Sequence, residues 1–168
     1  QEYYSLRLAM LGNQNPYGVD GRIKTFGYQQ NHLFSDCFIN GAMTCTSCHN
    51  PHSQGYQDIN RQKLVDRFDD RQCTACHSSK ENNVSAHTFH QEKSVGSNCV
   101  SCHMPFRQQA GIGHEIKFTR SDHTIAIPRP LYDRSQGFES ACLQCHSDQT
   151  EDALQKNVNE WWGDGKGM

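Results

Sequence analysis

The feature that most constrains this chain is a five-residue pattern, C-x-x-C-H, that occurs four times. The copies read Cys45-Thr46-Ser47-Cys48-His49, Cys73-Thr74-Ala75-Cys76-His77, Cys99-Val100-Ser101-Cys102-His103 and Cys142-Leu143-Gln144-Cys145-His146. They use eight of the nine cysteines and four of the ten histidines. With this composition, chance supplies only about 0.03 copies in the whole chain. Two thiols three positions apart can each add to a vinyl group on the same porphyrin edge, and the histidine that follows is then held under the iron as its proximal ligand. The pattern predicts four haems c, attached through eight thioethers and held by His49, His77, His103 and His146. Attachment consumes those thiols, which are then neither disulfides nor redox-active dithiols. Zinc is the competing reading, because paired C-x-x-C units build Cys₄ sites. Zinc motifs take histidine at a distance, however, not directly after every second cysteine, and the gaps between these four copies are irregular.

Each iron has a sixth position, and electron-transfer haems fill it so that little changes on reduction. Six histidines lie outside the motifs: His32, His52, His87, His90, His114 and His123. Six candidates for four positions point to bis-histidine ligation. His52 stands three residues after His49 and cannot easily reach over its own haem, so as a ligand it serves a neighbouring one. His87 and His90 share a face if their segment is helical. His123 has an acidic neighbour, Asp122, able to orient its ring nitrogen. His32 and His114 are open between ligation, a hydrogen bond to a propionate, and simple exposure. Methionine would raise the potential, but Met104 follows His103 directly, Met43 reads as packing, and Met10 and Met168 stand at the chain ends. Cys37 is left over, either a plain thiol or a covalent link to another molecule.

The rest of the composition fits a chain whose interior is cofactor. Of 168 residues only 35% are hydrophobic, mean hydropathy is -0.83, and domains of this size already have little interior to bury. The expected fold is therefore a multihaem cytochrome c, mainly irregular with short α-helices and little β, in which the haems form the core. It is one domain over 1–168, with an N-terminal arm at 1–40, a haem-binding core at 41–147, and a C-terminal helix and tail at 148–168. Alternation from Tyr4 to Met10 suits a short strand and the Gly/Asn/Pro cluster from Gly12 to Gly18 a loop. The stretch from Ile59 to Phe68 reads as a short helix with Leu64, Val65 and Phe68 on one side. Ile125 and Ile127 lead into Pro128-Arg129-Pro130, an extended arm. The clearest helix runs from a Thr150 cap through Leu154, Val158, Trp161 and Trp162 to a stop at Gly163, with its apolar stripe on the fourth haem or a partner. Arg129 and Arg134 are expected to pair with haem propionates. Without its haems the chain should be largely unfolded.

The formal charge of -2 gives no basic footprint for nucleic acid. No run of 18 or more apolar residues is present, so no transmembrane segment is expected. The first residues also lack the basic start and apolar run of a cleavable leader. Because haem attachment takes place outside the cytoplasm, the expectation is a secreted protein, extracellular or periplasmic, whose signal peptide has been removed.

The run Met43-Thr44-Cys45-Thr46-Ser47-Cys48-His49-Asn50-Pro51-His52-Ser53 resembles the first block of multihaem cytochromes c related to the tetrahaem electron acceptor of hydroxylamine oxidoreductase. The segment His87-Thr88-Phe89-His90, the block from Cys99 to Pro105, Asp122-His123 with Pro128-Arg129-Pro130, and Ala141-Cys142-Leu143-Gln144-Cys145-His146 resemble later blocks, so the likeness covers roughly residues 26–162. It implies distal ligation by His52, His87, His90 and His123, and leaves His32, His114 and Cys37 outside the pattern. The chain is also similar to small tetrahaem cytochromes that polymerise into extracellular filaments, or nanowires, in which a histidine of one subunit can ligate a haem of the next.

Three functions follow from these readings. The first is electron transfer through closely packed six-coordinate haems, as a filament subunit with haem contacts between copies or as a discrete periplasmic carrier. The second is a redox enzyme acting on small nitrogen or sulfur compounds, which needs one iron with an open position. The third is a docking subunit that hands electrons to other redox proteins. The surplus of histidines favours electron transfer over catalysis.

Overall fold

A computed structural model of the chain describes residues 29–107 and 120–163. Within them the backbone is built from short helical pieces. There are 3-10 turns at Gln29–Phe34, Cys45–Ser47, Val95–Ser97 and Ala141–Gln144. The helices are α1 (Asp36–Gly41), α2 (Arg71–Thr74), α3 (Ser78–Glu81), α4 (Val84–Thr88), α5 (Cys99–His103), α6 (Pro130–Ser135) and α7 (Glu151–Trp162). Among the described residues, strand is confined to an antiparallel pair of two-residue strands, β1 (Phe106–Arg107) and β2 (Arg120–Ser121), with Phe106 opposite Ser121. The architecture is thus helical and irregular with little β. The expected strand near Tyr4 and loop near Gly12 lie outside the described residues.

Helix α7 forms for the reasons its sequence gives. The Thr150 hydroxyl accepts from the Ala153 amide, Glu151 and Asp152 occupy the first turn where the helix dipole favours acid, and Gly163 ends it at φ 83°. Leu154 and Val158, one turn apart, are buried. The stripe packs against α6 and reaches the His87 segment, where the Trp162 indole N–H donates to the His87 carbonyl at 3.1 Å. Trp161 stacks on Phe89 at 4.8 Å.

Two local expectations are corrected. The stretch from Ile59 to Phe68 is not a helix, because its aspartates take the amides that a helix would need. Asp58 accepts from Gln62 N–H at 2.8 Å, Asp66 from Phe68 N–H at 2.7 Å and Asp69 from Val65 N–H at 3.2 Å. Arg61 adopts φ 63°, and Gln57 bridges Lys63. Leu64 alone of the expected apolar face is buried, while Val65 is 86% exposed. The extended arm stops at Arg129, because Pro130 opens α6. Proline suits that first helical position, where its missing N–H costs nothing.

Among the described residues the side-chain core is small. Leu64, Val100, Phe138, Ala141, Leu154 and Val158 are its buried hydrophobic members. Eleven large apolar residues, among them Phe34, Ile39, Phe68, Phe106 and Ile127, are exposed on the polypeptide. Apolar surface on that scale calls for something else to cover it.

Candidate functional site

Each C-x-x-C-H copy is wound as one helical turn. The histidine amide donates to the carbonyl of the first cysteine at 2.9 Å in His49→Cys45, His77→Cys73 and His146→Cys142, and the third copy is α5 itself. At 3.6 residues per turn, positions i, i+3 and i+4 share a face. Both thiols and the imidazole of a copy therefore point the same way, as attachment to one porphyrin requires. Among the described residues, no three of His, Cys, Asp and Glu converge to hold a metal ion directly. A Cys₄ zinc site would need such a cluster.

The imidazoles meet in pairs instead. His103 faces His87 at 6.2 Å between ring centres with planes 4° apart, His49 faces His123 at 6.2 Å and 26°, and His146 faces His90 at 6.0 Å and 43°. Two imidazoles holding one metal ion from opposite sides, at the distance of about 2.0–2.1 Å usual for imidazole nitrogen on zinc and with ring centres about 1.1 Å further out, would stand about 6.2–6.4 Å apart. Two of the pairs sit at that spacing and the third, His146 with His90, just inside it. Each joins a motif histidine to one of the histidines outside the motifs.

Backbone carbonyls orient the rings. His90 Nδ1 contacts the Thr88 carbonyl at 2.6 Å, His123 Nδ1 the Ser121 carbonyl at 2.8 Å and His103 Nδ1 the Ala126 carbonyl at 3.1 Å. A carbonyl only accepts, so Nδ1 carries the proton and Nε2 keeps its lone pair for a metal. Burial lowers the pKa of His49, His87, His103 and His123 below the ordinary imidazole value; for His87 nearby Lys80 adds to this, and for His103 and His123 the carbonyl partly opposes it. The neutral, ligating form is thereby favoured. The His123 Nδ1 meets the Ser121 carbonyl, while Asp122 Oδ1 accepts from Asn31 at 3.0 Å and from the Thr124 amide and hydroxyl at 2.9 and 2.7 Å, and the Asp122 charge acts on the His123 ring. Asp122 shapes the turn that carries His123. Sequence reasoning missed these carbonyls, because every residue carries one and nothing in the residue type marks it as the partner.

His87 and His90 do not share a face. Helix α4 ends at Thr88, and Phe89 in the left-handed region (φ 56°) swings His90 away. The two histidines therefore face different motifs, the third and the fourth. His52 and His77 are both exposed, and neither has a described ring against it. His52 sits on a turn in which the Asn50 side chain accepts from the His52 and Ser53 amides at 2.9 and 3.2 Å. His32 is half-buried, edge-on to Phe38 at 5.6 Å. His114, Met10 and Met168 lie outside the described residues, and Met43 is half-buried in the loop before the first motif.

Successive motifs are neighbours in space. The nearby Cys99 thiol, and then burial, push the Cys73 thiol well up. The Asp70 carboxylate accepts from the Cys99 amide at 2.9 Å, tying the second motif to the third. Cys102 is pushed up to about 11 by burial and then by Cys142 and Cys145, which places the fourth motif beside the third. Cys48 is raised by burial, then by Cys37 and Cys76. Cys37 is half-buried and likewise raised by burial, with Asp36 next to it.

Arginine placement divides the expected propionate partners. Arg134 is engaged by Asp152 at 2.9 Å and Glu151 at 3.7 Å in the first turn of α7. Arg129 lies over the Tyr132 ring at 4.2 Å, and its buried Nε has no hydrogen-bond partner. A buried donor without an acceptor is costly, and a propionate oxygen would satisfy it.

Residues 86–163 match the sequence profile of the cytochrome c552 family. That match supports a c-type cytochrome. It takes in the third and fourth motifs and the facing histidines His87, His90 and His123. No curated protein and no solved structure shows significant similarity to the chain. A c-type cytochrome carries covalently bound haem c and iron, and the family as a whole points to haem-based electron transfer, although some cytochromes c552 are enzymes. Periplasmic or secreted placement is typical of the family. Among the described residues, no helix is long and apolar enough to cross a membrane.

Proposed function

We propose that the chain is a tetrahaem electron-transfer cytochrome with bis-histidine ligation. Cys45 and Cys48, Cys73 and Cys76, Cys99 and Cys102, and Cys142 and Cys145 tether the haems. The ligand pairs are His49 with His123, His103 with His87, and His146 with His90. The observation that carries this reading is the set of three imidazole pairs at 6.0–6.2 Å. Bound haem supplies a one-electron iron couple. The chain does the rest by setting the imidazoles face to face, favouring the neutral form of His49, His87, His103 and His123 through burial, and keeping successive motifs adjacent. Mass of the purified protein tests the count directly, with four covalent tetrapyrroles expected; a chain holding none would overturn the reading.

His77 and His52 supply the argument for assembly. Among the described residues, each copy displays one proximal histidine, His77, with no imidazole opposite it, and one exposed histidine, His52, with no ring against it. Histidine 52 of a second copy completes the second haem, giving a filament with haem contacts between subunits, outside the cytoplasm. Sedimentation and negative-stain imaging test this. Extended particles should be lost in His52→Ala, whereas a monodisperse wild-type particle near the 19.1 kDa chain mass plus haems would leave the discrete periplasmic carrier. The exposed face of His77 also favours a second reading, an enzyme acting on small nitrogen compounds. A high-spin haem that persists in fully assembled wild-type protein would select it.

A further inference from the structure

We propose that Gly96 is the positioning residue that seats His90 opposite the fourth motif. The inference rests on the reading of His90 as an axial ligand and adds the residue that makes its position possible. The His90 ring lies flat against the Gly96 backbone. A Cβ built on Gly96 would collide with His90 Cδ2 and would stand 2.7 Å from Cγ and 2.9 Å from Nε2. Contacts of that kind do not occur between real atoms, so the ring or the backbone must give.

Neither is free to do so. On one side the ring is fixed by its Nδ1–H to the Thr88 carbonyl at 2.6 Å, and the His90 amide donates to Thr88 Oγ1 at 3.2 Å. On the other side Gly96 is in the middle of the 3-10 turn Val95–Ser97. That turn is closed by the Ser97 amide on the Ser94 carbonyl at 3.0 Å and by the Ser97 hydroxyl on the same carbonyl at 2.8 Å. Three residues on, the chain enters α5 and the third motif, so a retreat of the turn would drag Cys99 with it. The least costly response to a methyl group is for His90 to leave its place opposite His146. The backbone at Gly96 is outside the left-handed region that only glycine adopts with ease. Its glycine is therefore explained by the close approach of the ring and not by backbone conformation.

The test compares Gly96→Ala, His90→Ala and Gly41→Ala in the haem-loaded protein, with haem content per chain measured in each. Gly41 is the control, because a Cβ there meets nothing within 4 Å. Gly96→Ala is expected to convert one haem per chain from low to high spin in absorption and paramagnetic spectra, as His90→Ala does, and added imidazole should restore the low-spin spectrum in both. Gly41→Ala should be indistinguishable from wild type. If His90→Ala stays fully low-spin, the ligand reading of His90 fails. If His90→Ala turns high-spin while Gly96→Ala does not, the seat proposed for Gly96 is wrong. Should Gly96→Ala yield no loaded protein, the double variant His90→Ala/Gly96→Ala decides. Recovery to the level of His90→Ala alone supports the clash with the ring, and failure to recover overturns it.

Discussion

The histidines of this chain divide between two regions that share a motif and differ in setting. Around the third and fourth motifs, His103 and His146 face His87 and His90, with Nδ1 anchored on a carbonyl for His103 and His90. Helix α7 backs this region through Trp162 and Phe89. Around the second motif, His77 is exposed, and the approach to it from Asp58 to Asp70 is a succession of turns held by aspartate side chains. The difference teaches that C-x-x-C-H specifies only one side of an iron. The histidines that face His103 and His146 come from another segment, and their placement depends on tertiary structure.

The largest test of this contrast is ligand removal in dilute, unassembled protein. His87→Ala should turn one haem per chain high-spin, while His52→Ala should leave the dilute spectrum as it is in wild type. Equal changes in the two variants would erase the distinction between the regions. Packing offers the next largest effect. Leu154 is 5% exposed on α7, and Leu154→Ala should cost about 2–4 kcal/mol through lost burial and a residual cavity. Asn60, exposed in the turn-held region, should cost less than about 0.5 kcal/mol on the same change. Denaturant midpoints at matched haem content measure both.

The four C-x-x-C-H turns were legible from sequence, since they need only local structure. Helix α7 was legible for the same reason, with its cap, acidic first turn and apolar stripe all within one segment. What escaped was set by competition or by distance. The aspartates between Asp58 and Asp69 read as ordinary polar residues until their carboxylates were seen capturing amides of the would-be helix. His87 and His90 looked like one face because nothing in Thr88-Phe89 announces a left-handed phenylalanine. Beside Asp122, the Ser121 carbonyl meets the His123 Nδ1, a backbone contact that no residue type announces. Which histidine faces which motif depends on pairs as far apart as His49 and His123, and periodicity carries no information on that.

Smaller effects sharpen the comparison further. Trp162→Phe keeps the aromatic contact with Phe89 and removes only the N–H that reaches the His87 carbonyl. It should cost about 1 kcal/mol, with no change in spin state, and denaturant melts followed by haem absorption would show it. A spin-state change would instead make the indole part of the machinery that positions His87.

The smallest effect belongs to the turn-held region. Asp69 accepts from the Val65 and Arg71 amides at 3.2 and 3.3 Å and from the Arg71 guanidinium at 2.9 and 2.6 Å. The Arg71 guanidinium, foremost among these, holds its carboxyl down at about 2. Because the folded value lies below the unfolded one of about 3.9, Asp69 contributes stability that is complete above about pH 4 and is lost as pH falls through about 2. Solvent screens this pair, since the Arg71 side chain is about half exposed, so Asp69→Asn should cost less than about 1 kcal/mol near neutral pH. The gap between wild type and variant should close between about pH 4 and about pH 2 in denaturant midpoints of the loaded protein. A gap that stays the same across that range would mean that the amide contacts of Asp69, and not its charge, hold the turn before the second motif.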